Sequence, residues 1–189
     1  RPQHYMARQV KSGAIDTDLM KPLDFHLHML ARSLGETLVT LIVLAIPAVA
    51  VAYFLLGVSL PADAWTGVLF VISLLLGFLV LFHLNFLIGS LAVVTLDIRH
   101  INWAYYSLVR FFGGQMIPLW LFPSFLAWFA GVLPFQSTYF IPMSIYIGNL
   151  TGAEALQAIG FQLVWVVVLV LLSRLLWNWA HRHLVVQGG

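Results

Sequence analysis

Polar and apolar positions along this chain fall into long separate blocks instead of alternating at a helical or strand period. From Arg1 to Glu36, the charged residues Arg8, Lys11, Asp16, Asp18, Lys21, Asp24 and Arg32 are interspersed with hydrophobes, the composition of a water-facing, partly amphipathic segment. Thr37–Val58 then runs 22 residues without a charge. At about 1.5 Å per residue that length covers the roughly 30 Å hydrocarbon core of a bilayer, so a transmembrane helix is predicted there. Pro47 lacks a helical donor and is expected to bend it. A connector at 59–64, carrying Pro61 and Asp63, leads into Trp65–Leu96, 32 uncharged residues. That run exceeds one span yet is too short for two and a turn, so a single helix projecting into the cytoplasm fits it. In Asp97–Arg110, Arg99, His100 and Arg110 stand beside Trp103, Tyr105 and Tyr106, which reads as an exposed stretch with interfacial aromatics.

Between Arg110 and Glu154 lie 43 uncharged residues, enough for two crossings or for one crossing and an embedded excursion. Charge separates the two. With one crossing at about Gly114–Gly131 and a last helix at Ala155–Trp177, all nine Lys and Arg lie on one side, as the positive-inside rule asks. Two crossings would strand Arg174 and Arg182 outside and force Pro134, Gln136, Ser137, Thr138 and Pro142 into regular helix. Leu133–Asn149 is therefore predicted to form short helices dipping into the outer leaflet, their loose backbone ends covered by protein. The expected fold is all-α and integral to the membrane. Residues 1–36 form a cytoplasmic segment and 37–189 a transmembrane domain with four spanning helices, at about 37–58, 65–96, 114–131 and 155–177. Both ends of the chain are expected in the cytoplasm.

Composition agrees with a lipid solvent: 61% of the 189 residues are hydrophobic and 8% charged, with a mean hydropathy of +0.95. The net charge of +2 comes from few groups and forms no basic stripe, so a membrane surface is the expected partner and nucleic acid is not. With no cysteine, thiolate chemistry, disulfides and Cys-based metal sites are excluded. No secretory signal pattern opens the chain, and its start at Arg1 suggests an upstream segment.

Signatures of catalysis are missing: there is no Walker-type loop, H-E-x-x-H helix or G-x-S-x-G elbow. His26 with His28, and His181 with His183, are spaced two apart, which points each pair to different helix faces and spoils metal binding. These histidines are read as interfacial or solvated. Intramembrane polar groups are expensive, so His83 and Asn85 in the second span, with Gln157 and Gln162 in the last, are candidates for lining a substrate path. Hydrogen bonding between helices is the plainer reading, above all for the glutamines. Glu36 and Glu154 are expected at helix N-termini, facing the positive dipole end. Without paired carboxylates in the membrane, a proton-coupled carrier has little to work with.

Phe111–Gly148, FFGGQMIPLWLFPSFLAWFAGVLPFQSTYFIPMSIYIG, has a Gly-Gly pair, a Pro-containing span, then L-P-F and Y-x-x-P, in that order. It resembles the ABC-2 type permeases of ABC transporters. Ser12–Leu23, SGAIDTDLMKPL, is similar to that family's cytoplasmic segment, and Gly188-Gly189 to its C-terminus. The resemblance implies an ABC-2 (type V exporter-like) transmembrane domain that lacks here the first two of six family spans. It implies a bacterial cytoplasmic-membrane subunit that forms a pathway with a second permease copy, homologous or identical. Separate ATPase subunits would hold the ATP and Mg, leaving this chain without a cofactor of its own. The ATPase-coupling segment would be Asp16, Asp18, Leu19, Met20, Lys21 and Pro22, with Leu19 and Met20 as apolar anchors. An Asp16 N-cap and a stop before Pro22 suit a short helix there. Pathway or gating candidates are then His83, Asn85, Gln115, Pro118, Pro134, Phe135, Tyr139 and Gln162.

The leading expectation is an exporter permease. Two other classes stand beside it: a membrane-embedded lipid-modifying enzyme, which needs convergent acid-base or metal groups, and a non-transporting assembly or sensor subunit.

Overall fold

The computed structural model describes residues 2–12, 20, 24–95 and 99–180. Helix α1 is Pro2–Lys11, α2 the continuous Phe25–Leu56, α3 Ala64–Thr95, α4 Arg99–Phe112, α5 Ser124–Val132, α6 Phe140–Tyr146 and α7 Gly152–Ala180. Short 3-10 turns stand at Leu119–Leu121 and Pro134–Ser137.

Local chemistry sets the helix starts. Asp24 caps α2 by accepting a hydrogen bond from the Leu27 N–H at 3.0 Å. Asp63 does the same for α3 with the Thr66 N–H at 2.7 Å, and this bond holds its carboxyl below the usual carboxylate range. Replacing Asp24 by alanine is expected to cost about 1 kcal/mol in thermal unfolding of the purified protein, the typical value of an N-cap. Within α2, the turn Leu41–Ala45 widens to π form and the Ile46 N–H reaches back to the Leu41 carbonyl. Pro47 has no N–H and its ring crowds the carbonyl of Val43, so the wider turn relieves the clash just ahead of it.

α3 and α7 form the centre and run in the same direction. Ala155 and Ile159 of α7 pack with Leu69 and Leu76 near the start of α3, while Trp177 meets Phe86 and Phe82 further along it. Phe25 of α2 stacks on Trp177 at 4.4 Å and 10° and also touches Phe86. In a bilayer such contacts stabilise through close packing rather than by removing apolar surface from water. α1 lies against the same end of α3, with Met6 fully buried beside Phe86. At the other end, the Tyr146 hydroxyl donates to the Ser59 carbonyl at 2.8 Å and its ring meets Phe70, so α2 runs antiparallel to α3. Among the described residues the apolar length of α2 is left uncovered: none of the residues in its hydrophobic window is buried.

Two parallel long helices require the chain to return between them, and the return is broken. α4 runs back along α3: Tyr105 reaches Asn85, and Gly113, just past the end of α4, meets the Phe135–Thr138 turn. The same turn packs on Gly77 of α3, so α4 stops near the middle of the Ala64–Leu91 span. The chain then leaves the bundle as an irregular stretch and α5, comes back at the Pro134–Ser137 turn, and completes the return through α6.

At four points the structure differs from the expectation. No continuous helix covers Gly114–Gly131: residues 119–121 are a 3-10 turn and α5 begins only at Ser124, after Pro118 and Pro123 have interrupted helical hydrogen bonding. Among the described residues three helices, not four, are long and apolar enough to cross a membrane. The helix that holds the first of them begins at Phe25, so Glu36 lies inside α2, where it pairs with Arg32 at 3.1 Å, and not at a helix N-terminus. Finally, the stretch before Arg110 is not a solvated connector: Asn102, Tyr105 and Val109 are buried.

Candidate functional site

At the break in the return, α3, α4 and the Tyr139 turn enclose a cavity of about 520 Å³. Its polar lining is His4, Asn85, Tyr106, Arg110, Gln115 and Tyr139. The helical register explains the gathering. Tyr106 and Arg110 lie four apart on one face of α4, and Leu81 and Asn85 four apart on the facing side of α3. Asn85 is held rigidly: its Oδ1 accepts from Gln3 Nε2 at 2.9 Å and from the Tyr105 hydroxyl at 2.9 Å. With that oxygen occupied twice, the group Asn85 offers the cavity is its amide N–H. Gln3 Nε2 also donates to the Tyr106 hydroxyl at 2.6 Å, and His4 Nε2 lies 3.1 Å from the same oxygen. α1 thus fixes the orientation of two cavity residues.

A second cavity of about 200 Å³ adjoins the first, with Gln115 and Tyr139 lining both. Pro118, Trp120, Phe140, Met143 and Ile147 make it mostly apolar. On another side of α4, a cavity of about 450 Å³ has an almost wholly apolar lining that includes Leu84, Ile88, Leu108 and Phe135.

Of the residues singled out from the sequence, the structure brings Asn85, Gln115, Pro118 and Tyr139 to these two adjoining cavities. The others lie elsewhere. His83 is buried against His26, with ring centroids 5.0 Å apart and His26 Nε2 3.3 Å from His83 Nδ1. His26, read as interfacial or solvated, is therefore corrected: it is buried between His83, Phe82 and Phe86. Gln162 is fully buried and joins Ser73 to the Ser137 carbonyl, whereas Gln157 is exposed. Pro134 is buried at the start of its 3-10 turn, and Phe135 stacks on Phe112 and faces the apolar cavity. In the coupling segment Met20 is exposed, while Asp16, Asp18, Leu19, Lys21 and Pro22 lie outside the described residues.

Sequence reasoning missed Arg110, Tyr106 and His4. The available signal was the pattern of α4, where Tyr105, Val109 and Phe112 repeat at three and four residues, the mark of a helix with one packed face. Among the described residues no cluster of three or more metal-ligating side chains occurs.

A helical chain with membrane-length apolar helices and a polar cleft at the break of its return crossing is a membrane transport protein in design. A family model for ABC-2 family transporter proteins matches residues 3–188, and the chain belongs to that family. That membership makes it a membrane protein of the permease kind, in a family that works with ABC ATPases in general. No curated protein and no solved structure matches the chain.

Proposed function

We propose that this chain is the permease subunit of an ATP-binding-cassette exporter, forming a substrate pathway with a second permease copy and driven by separate ATPase subunits. The observation that carries this reading is the broken return between α3 and α7. Irregular backbone at membrane depth is tolerated where it is covered by protein or lines a cavity, and here it borders a polar cleft. Such a break also supplies a place where two arrangements of the same chain can interconvert. The exposed apolar length of α2 and the exposed Trp120, Phe125, Trp128 and Phe129 supply surface for a second permease copy. Arg8, Arg32 and Arg174 gather toward the end of the bundle that carries α1, which supports a cytoplasmic place for that end by the positive-inside rule. ATP-driven closure of the ATPase pair would push the segment around Leu19 and Met20, and the cleft would open to the opposite side.

Co-expression of the full-length chain with its ATPase subunit tests this. Leu19→Asp with Met20→Asp is expected to cut co-purified ATPase and ATP hydrolysis in nanodiscs roughly tenfold, since apolar anchors carry most of such small interfaces. Wild-type permease that never retains the ATPase, or a double variant that retains it fully, would overturn the reading.

A further inference from the structure

Among the described residues Arg110 makes no ion pair with a carboxylate, and it lines the same cavity as Leu81, which lies nearer the middle of the Ala64–Leu91 span than either end. A cation at that depth is costly unless a polar cavity or a counter-ion receives it, and its presence is by default a functional signal. The surrounding cavity is rich in donors: the amide N–H of Asn85, the Gln115 amide and the Tyr139 hydroxyl line it, and no acidic residue does. Beyond Gln115 and Tyr139 the walls turn apolar, through Trp120, Phe140, Met143 and Ile147.

We propose that the cleft takes an anionic amphiphile, its carboxylate or phosphate paired with the Arg110 guanidinium and its chain laid along the Trp120–Ile147 wall. This rests on the permease reading and names the substrate class of the same site. Polarity selects the class. A cationic amphiphile would set like charge against Arg110, and a neutral one would leave the guanidinium without a counter-ion. A planar guanidinium presents paired donors that match carboxylate and phosphate oxygens, and Asn85, Gln115 and Tyr139 supply the remaining hydrogen bonds.

The test is binding of a dansyl-labelled medium-chain fatty acid and of its methyl ester to the purified full-length permease in phosphatidylcholine nanodiscs. Wild type is expected to favour the acid over the ester by at least about tenfold, the scale of one charge-assisted pair. Arg110→Gln should abolish that preference and Arg110→Lys restore part of it. Because Gln115 is exposed, Gln115→Glu offers a second variant with little risk to folding, and its new carboxylate should repel the acid but not the ester. Replacing part of the phosphatidylcholine by phosphatidylglycerol separates two sources of the anion. Competition with the probe makes the occupant a bilayer lipid, and its absence makes it a transported solute; both keep the proposal. Equal binding of acid and ester by wild type overturns it, as does a Gln115→Glu variant that keeps the preference. No ATPase takes part, so failure here leaves the coupling reading standing, and loss of ATPase co-purification leaves this one standing.

Discussion

Gly77→Val is expected to lower the stability of the purified protein by about 2–3 kcal/mol, the upper part of the range for overpacking a well-filled interior. A Cβ on Gly77 would lie 2.6 Å from the Ser137 carbonyl oxygen and 3.3 Å from that of Thr138. Both neighbours are backbone, so no side-chain rotation relieves the contact. The Pro134–Ser137 turn would have to retreat from α3, and Gly113 holds it from the other side, since Phe135 and Thr138 atoms stand 3.2 and 3.1 Å from a Cβ there. Any retreat carries Tyr139 out of the cleft, so stability and binding of the anionic probe should fall together. Gly35→Ala is the matched control, because a Cβ at Gly35 meets nothing within 4 Å and helix propensity favours alanine by up to about 1 kcal/mol. Unfolding midpoints in SDS titration decide it. If Gly77→Val unfolds where wild type does, the turn is not wedged against α3.

The contrast between those two glycines also says what a sequence can and cannot convey. Long uncharged runs are legible because lipid imposes one requirement over many residues, and helices α3 and α7 occupy the runs at 65–96 and 155–177. Where a helix begins is harder to read. His26, His28, Arg32 and Glu36 look like a solvated lead-in, but Arg32 pairs with Glu36 one turn on and sits 4.2 Å over the Tyr5 ring, while His26 packs on His83. His26, Arg32 and Glu36 each found a partner, and the helix runs through them. The return between α3 and α7 was hidden for a related reason. Charge counting treats a cation between two apolar runs as a membrane boundary, and Arg110 instead lines a cleft together with Leu81 and Asn85 of α3. Asn85, Gln115, Pro118 and Tyr139 were legible as polar or proline interruptions in apolar sequence. Their convergence was not, since it depends on α4 turning back along α3, a tertiary fact with no local code.

The same turn that shapes the cleft is fastened from α7, and here the second large effect is expected. Gln162 is fully buried, and its side chain makes three hydrogen bonds: Nε2 donates to the Ser73 carbonyl at 3.1 Å and the Ser137 carbonyl at 2.9 Å, and Oε1 accepts from the Ser73 hydroxyl at 2.9 Å. Gln162→Leu keeps the volume but removes all three. Bonds between membrane helices are worth roughly 0.6–2 kcal/mol each, so a loss of about 2–4 kcal/mol follows. The Ser137 carbonyl suffers most. It lies at the end of the Pro134–Ser137 turn, whose own hydrogen bond runs from the Thr138 N–H to the Phe135 carbonyl, and an unpaired buried acceptor costs about 1–3 kcal/mol by itself. Ser73→Ala removes only the hydroxyl donor and should cost about 1 kcal/mol or less. A double-mutant cycle on Gln162 and Ser73 measures the coupling directly: Gln162→Leu with Ser73→Ala should be scarcely less stable than Gln162→Leu alone, because the hydroxyl's partner is already gone. Additive losses in SDS unfolding would mean that the two side chains act independently and that α7 does not hold the turn through Gln162.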